Sequence, residues 1–199
     1  MIFIFWLIRG KLEGMIKAIA FDFTEVLFTL DPEVRLTAEE WKIFEGFGLF
    51  YPDAVFLAHF AQELGVSEAR VEVEVRRLVS SIYLLKEPDL FEKIPHFKFA
   101  AATNHLSYMV DYFFTLPTSK HFVAAVSSGE LGFEKPEPKF YHCVAARLGE
   151  NPENILFIDD RLENCLGAAA CGMQVLHHNP ENLLSEAINQ YLGTVEEIK

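Results

Sequence analysis

Three apolar runs in this chain end in residues that could do chemistry. Asp22 closes Ile16-Lys17-Ala18-Ile19-Ala20-Phe21, Thr103 and Asn104 close the run 97–102, and Asp159 and Asp160 close Ile155-Leu156-Phe157-Ile158. Lys135 lies between the last two runs, in the loop Gly132-Phe133-Glu134-Lys135-Pro136. Runs of this kind fit strands buried on both faces of a parallel sheet. Ligands of open α/β sheets gather beyond the carboxyl ends of such strands. Taken alone, Asp22 reads equally well as a turn or helix-capping acid; the polar groups ending the later strands decide for chemistry. Carboxylates that converge without counter-charge raise one another's pKa. A hard cation relieves that repulsion, and magnesium accepts one or two carboxylates, a backbone carbonyl and waters. A hydroxyl and an ammonium at the same edge would hold a phosphoryl group, whose transfer rests on positioning and charge neutralisation.

The elements that must position these residues alternate in type. The expected strands cover 16–21, 97–102, 122–126, 155–158 and 174–176, with helices over 105–114, 138–148, 161–171 and 182–192. This alternation predicts an α/β fold with a doubly wound parallel sheet, a Rossmannoid core. Between the first strand and the second, residues from about 36 to 92 carry helical spacing without a strand signal. Thr37 with Glu40 forms a capping box, Gly65 closes one helix and Ser67 opens the next. The expected organisation is therefore an extension at 1–14, a core at 15–30 and 96–199, and a small all-helical cap at 31–95. Aromatics of the cap, Trp41, Phe44, Phe47, Phe50, Tyr51, Phe56 and Phe60, are expected mostly to form the core of its bundle.

Asp22, Thr103-Asn104, Glu134-Lys135-Pro136 and the stretch from Phe157 to Asn164 resemble, in order and spacing, the four motifs of the haloacid dehalogenase (HAD) superfamily. The resemblance spans essentially 15–192. It implies a Mg2+-dependent phosphatase acting on a small phosphorylated metabolite, with Asp22 as nucleophile forming an aspartyl-phosphate. Asp22, the Thr24 carbonyl and Asp160 would be metal ligands, with Asp159 acting directly or through water. Thr103 and Asn104 would contact phosphate oxygens, and Lys135 would neutralise Asp22 and bind the transferring group. One departure matters. Family phosphatases carry a second Asp two residues after the nucleophile as acid/base, and this chain has Thr24 there, followed by Glu25 in place of Gly. A hydroxyl cannot supply acid–base help, which is worth about 10²–10⁴-fold. The expectation is a slow phosphatase, or one limited to activated esters. A fold-retaining phosphate-binding or regulatory protein without turnover stays open, as does a metal-free 2-haloacid dehalogenase. The paired Asp159-Asp160 ending is of the magnesium type and weighs against the dehalogenase.

Composition narrows the partners. A formal charge of -12 argues against non-specific nucleic-acid binding, which rests on Lys and Arg, and against anionic membranes. Cys143, Cys165 and Cys171 make no CxxC pair, so a reducing cytosol is expected, with each thiol a small buried residue. The run Ile2-Phe3-Ile4-Phe5-Trp6-Leu7-Ile8 is far shorter than the about 20 residues of a membrane span; a homodimer contact through it is the expectation. His105 is expected on a helix surface. His177 and His178 should face opposite sides of the last strand and not share a metal.

Overall fold

The computed structural model describes residues 16–49 and 52–196. The apolar extension 1–14, its expected dimer contact, and Phe50 and Tyr51 lie outside the described residues. In chain order the elements are β1 (Ala18–Phe21), β2 (Phe28–Leu30), α1 (Ala38–Glu45), α2 (Asp53–Leu64), α3 (Glu68–Ser81), β3 (Tyr83–Leu85) and α4 (Leu90–Lys93). They continue with β4 (Lys98–Thr103), α5 (Ser107–Phe113), β5 (Phe122–Ser127), α6 (Ser128–Leu131), α7 (Pro138–Leu148), β6 (Ile155–Asp159), α8 (Leu162–Ala170), β7 (Gln174–His177) and α9 (Leu184–Glu196).

Five strands form one sheet in the order β5-β4-β1-β6-β7, every pair parallel. β1 is central. The chain winds outward from β1 through β4 to β5, then crosses back to place β6 and β7 on the other side. The winding direction therefore reverses between β1 and β6, where open sheets leave a crevice for ligands. Phe21 is in register with Ala101 and Ile158, so Asp22, Thr103 and Asp159 leave the sheet at one edge.

Alternate residues of β1 enter different cores, as period-two geometry demands. Ile19 and Phe21 join Phe99, Phe113, Phe122 and Ile158 on one face. Ala18 and Ala20 join Ala100 and Ala102 on the other, beneath Phe140, Tyr141 and Val144 of α7. Small residues on that face let the bulky helix residues approach the sheet closely.

The capping box at Thr37 and Glu40 is present, and Ser67 caps α3 as expected. The block between β1 and β4 differs from the all-helical insertion expected there. Tyr83–Leu85 pair antiparallel with Phe28–Leu30, so the all-helical reading is corrected by a two-stranded ribbon. Three residues are too short to show a period-two pattern in sequence. Trp41, Phe44, Phe47 and Phe56 make a chain of ring contacts, and Phe56 and Phe60 are buried. Trp41 remains 49 % exposed. Among the described residues, no helix is long and apolar enough to cross a membrane.

Candidate active site

Lys135 is the hub of the site. Its side chain is fully buried, with the ammonium 2.9 Å from Asp22 Oδ1 and 2.7 Å from Asp159 Oδ2, and it also donates to the Ala102 carbonyl at 2.9 Å. Three neighbouring strands thus supply its three acceptors. Burial opposes its charge, but the Asp22 and Asp159 carboxylates outweigh that and hold its pKa above the ordinary lysine value. The loop carrying Lys135 is fastened by Asn104. The Asn104 amide oxygen accepts from the Lys135 N–H, and its nitrogen donates to the Lys135 carbonyl and to Glu134 Oε2. The side chain expected on phosphate is therefore engaged in holding the lysine loop. Thr103 is buried at the end of β4, level with Ser127.

Asp159 is equally committed. Its Oδ1 accepts from the Arg161 N–H and Asn164 Nδ2, and its Oδ2 from Lys135 and Asn164. Asp160 is half-buried. Ligand oxygens of Asp22, Asp159 and Asp160 lie within 4.8 Å of one another. Three carboxylates face one ammonium, an excess of negative charge. Burial, with Asp159 adding repulsion against the pull of Lys135, raises Asp22 to about 7. Burial and Asp159 raise Asp160 as well. An all-oxygen set with surplus negative charge fits a hard divalent cation. Asp22 and Asp160 are the carboxylates with capacity to spare for it, because Asp159 already accepts four protein hydrogen bonds.

The loop after Asp22 explains the odd pair Thr24-Glu25. The Phe23 carbonyl accepts from the N–H groups of Val26, Leu27 and Phe28, while the Phe23 N–H donates to Asp22 Oδ1 at 2.7 Å. Glu25 has φ +61°, the left-handed region that favours glycine. Lys86 holds it there, donating to the Glu25 carbonyl at 3.1 Å and meeting its carboxylate at 3.4 Å. Thr29 approaches the other carboxylate oxygen. That carboxylate is directed to Lys86 and Thr29.

Sequence reasoning missed Asn164, Tyr83, Lys86 and the setting of His105. His105 is 3 % exposed rather than on a helix surface, because α5 starts only at Ser107. Its Nε2 lies 3.1 Å from the Tyr83 hydroxyl, and the Phe47 ring packs against it. A buried His beside a strand end was the available signal. His177 Nε2 meets the Asp160 carbonyl at 2.8 Å while His178 is buried, so the two rings diverge as expected. The three cysteines are free, and Cys165 is buried.

Residues 95–172 match the family model described as haloacid dehalogenase-like hydrolase. A glyceraldehyde 3-phosphate phosphatase of Methanopyrus kandleri is 34% identical over 98 residues, which span 46% of this chain and 42% of that relative, less than half its length. A sesquiterpene phosphatase of Aspergillus oryzae is 26% identical over 209 residues, covering 89% of this chain and 97% of its own. A HAD family enzyme of Bacteroides thetaiotaomicron, solved as the wild-type protein with magnesium and inorganic phosphate, superposes with a TM-score of 0.62. It is 22% identical and covers 86% of this chain and 98% of its own; at that identity the likeness is one of fold.

Proposed function

We propose that this haloacid dehalogenase-like hydrolase is a Mg2+-dependent phosphatase that acts on a small phosphorylated metabolite through an aspartyl-phosphate on Asp22. The observation that carries the proposal is the buried Lys135 ammonium, 2.9 Å from Asp22 and 2.7 Å from Asp159, with a third carboxylate, Asp160, in the same cluster. Two relatives named as phosphatases support the reaction class. The magnesium and phosphate in the Bacteroides thetaiotaomicron enzyme support the cofactor.

In this reading an ionised Asp22 oxygen attacks phosphorus as the bond to the leaving oxygen breaks. Water then attacks the phosphorus of the aspartyl-phosphate, releasing phosphate and regenerating Asp22. A magnesium ion on Asp22, Asp160 and the Thr24 carbonyl, when bound, would neutralise the phosphoryl oxygens and lower the Asp22 pKa. Lys135 keeps Asp22 from repelling an anionic substrate. Asp159 and Asn164 hold Lys135 and the start of α8, and Asn104 holds the lysine loop. Thr24 has no titrating group to protonate the leaving oxygen, so substrates with good leaving groups are turned over fastest and the aspartyl-phosphate hydrolyses slowly. Thr24 also favours a second reading, a phosphate-binding protein without turnover. Magnesium-dependent hydrolysis of p-nitrophenyl phosphate, lost in Asp22→Asn, is the expected result. Binding of magnesium and an aluminium fluoride phosphate analogue with no hydrolysis of any aryl phosphate would establish the second reading instead.

A further inference from the structure

The carboxylates that meet beyond β1 and β6 are held in different ways. Lys135 grips those of Asp22 and Asp159, and Asn164 and the Arg161 N–H fasten Asp159 further. Asp160, the third member of the cluster, lies one residue past the end of β6 and takes its direction from its backbone. The peptide units on its two sides are both pinned. On the near side, the Asp159 carbonyl accepts from the His178 N–H at 2.9 Å. On the far side, the peptide joining Asp160 to Arg161 is tied at both ends. Its N–H donates to Asp159 Oδ1 at 2.9 Å, and its oxygen, the Asp160 carbonyl, lies 2.8 Å from His177 Nε2.

Peptide units are planar, so the chain at Asp160 has only φ and ψ left to set. Anchoring the peptides on both sides sets them, and with them the line along which the side chain leaves the backbone. The His177 bond stands outside the sheet ladder. Pairing between β6 and β7 ends with Asp159 opposite His177, so the Asp160 carbonyl lies past the last paired position and a side chain supplies its donor. A carbonyl can only accept, so Nε2 carries hydrogen, as it does in the protonated ring and in one neutral tautomer. Period-two geometry sends neighbouring side chains to opposite sides: His178 is buried, while the His177 ring is exposed and is left free to turn to this carbonyl.

We infer that His177 is a positioning residue for the metal site: by holding the Asp160 carbonyl it aims the Asp160 carboxylate toward Asp22, where the cation would be held. Partners that stand behind a ligand and fix its orientation raise metal affinity without touching the metal. In this role His177 touches neither cation nor substrate and transfers no proton. The role rests on the magnesium-dependent reading and adds to it a contribution from β7, the strand at the edge of the sheet.

The test reads metal binding directly, with no substrate present. Magnesium affinity is measured by isothermal titration calorimetry at pH 8 for the wild type, His177→Leu, His177→Asn and His177→Gln. The glutamine amide nitrogen lies as many bonds from Cβ as histidine Nε2, so His177→Gln keeps the donor in place. The asparagine nitrogen matches Nδ1 instead and falls short of the carbonyl. Loss of the bond is expected to raise the magnesium Kd about 3- to 10-fold in His177→Leu and His177→Asn, with His177→Gln close to wild type. Thermal midpoints of the metal-free proteins are expected near wild type, because the ring is exposed. Wild-type affinity in His177→Leu or His177→Asn, or a His177→Gln Kd as weak as that of His177→Leu, overturns the inference while leaving the phosphatase reading intact. A wild type that binds no magnesium overturns the magnesium-dependent reading itself, and the inference with it.

Discussion

Replacing Lys135 with methionine removes the charge on which the site is built while keeping most of the side-chain volume. At separations of 2.9 and 2.7 Å, each attraction is worth about 6 kcal/mol at an effective dielectric of about 20. The desolvation of all three groups offsets most of this, and breaking a buried pair by removing one partner costs about 3–5 kcal/mol. The cost arises because Asp22 and Asp159 remain buried without their counter-charge, so it must depend on pH. Carboxylates whose folded pKa is raised are best tolerated when protonated. The stability they permit is present below their unfolded pKa near 3.8 and is lost as pH rises through the folded value. Asp22, at about 7 in the wild type, already follows this course, and Lys135→Met extends it. Urea unfolding in metal-free buffer is expected to show a deficit of about 3–5 kcal/mol at pH 8. That deficit shrinks by about 1.4 kcal/mol for each pH unit over which one freed carboxylate takes up its proton. Added magnesium is expected to recover part of it at pH 8. A deficit that is the same at pH 5 and pH 8 and indifferent to magnesium would refute the electrostatic account and leave only lost packing.

Two further outcomes follow from the same geometry. Thr24→Asp places a carboxyl at the leaving-group side of Asp22 and is expected to raise turnover of poor-leaving-group phosphates by about 10²–10⁴-fold; an unchanged rate in steady-state assays would mean that the shortfall lies elsewhere. Neutral, buried His105, with its pKa lowered from 6.5 to about 4, contributes stability that is complete above 6.5 and lost as pH falls toward 4, about 3 kcal/mol across that window. Because Asp22 gives the opposite slope over the same window, His105→Gln is read as a difference from wild type, expected to move by about 3 kcal/mol in the variant's favour as pH falls from 6.5 to 4. A difference that does not change with pH would assign the acid sensitivity to another group.

The order of strands and helices in the core was legible in the sequence because both faces of the sheet are covered. A run such as Ile155-Leu156-Phe157-Ile158, too short for a helix and bounded by polar residues, fits a buried strand, and β6 is buried along its whole length. The helix at Pro138–Leu148 was equally plain, opening on proline and closed by Gly149. Acids at the ends of β1 and β6 and a lysine between them were enough to foresee their meeting, since parallel strands must deliver their carboxyl ends to one edge. What local sequence could not carry was the pairing of short, distant segments. Tyr83–Leu85 is a strand only because Phe28–Leu30 lies beside it, and the register that sets Tyr83 opposite Leu30 has no local signature. Likewise, the roles of Asn104, Asn164 and Lys86 depend on partners 31, 5 and 61 residues away. Residue types and strand order determined which groups meet at the sheet edge. Tertiary structure decided which of their hydrogen-bonding capacity was already taken and which was left for a substrate, because that depends on long-range neighbours.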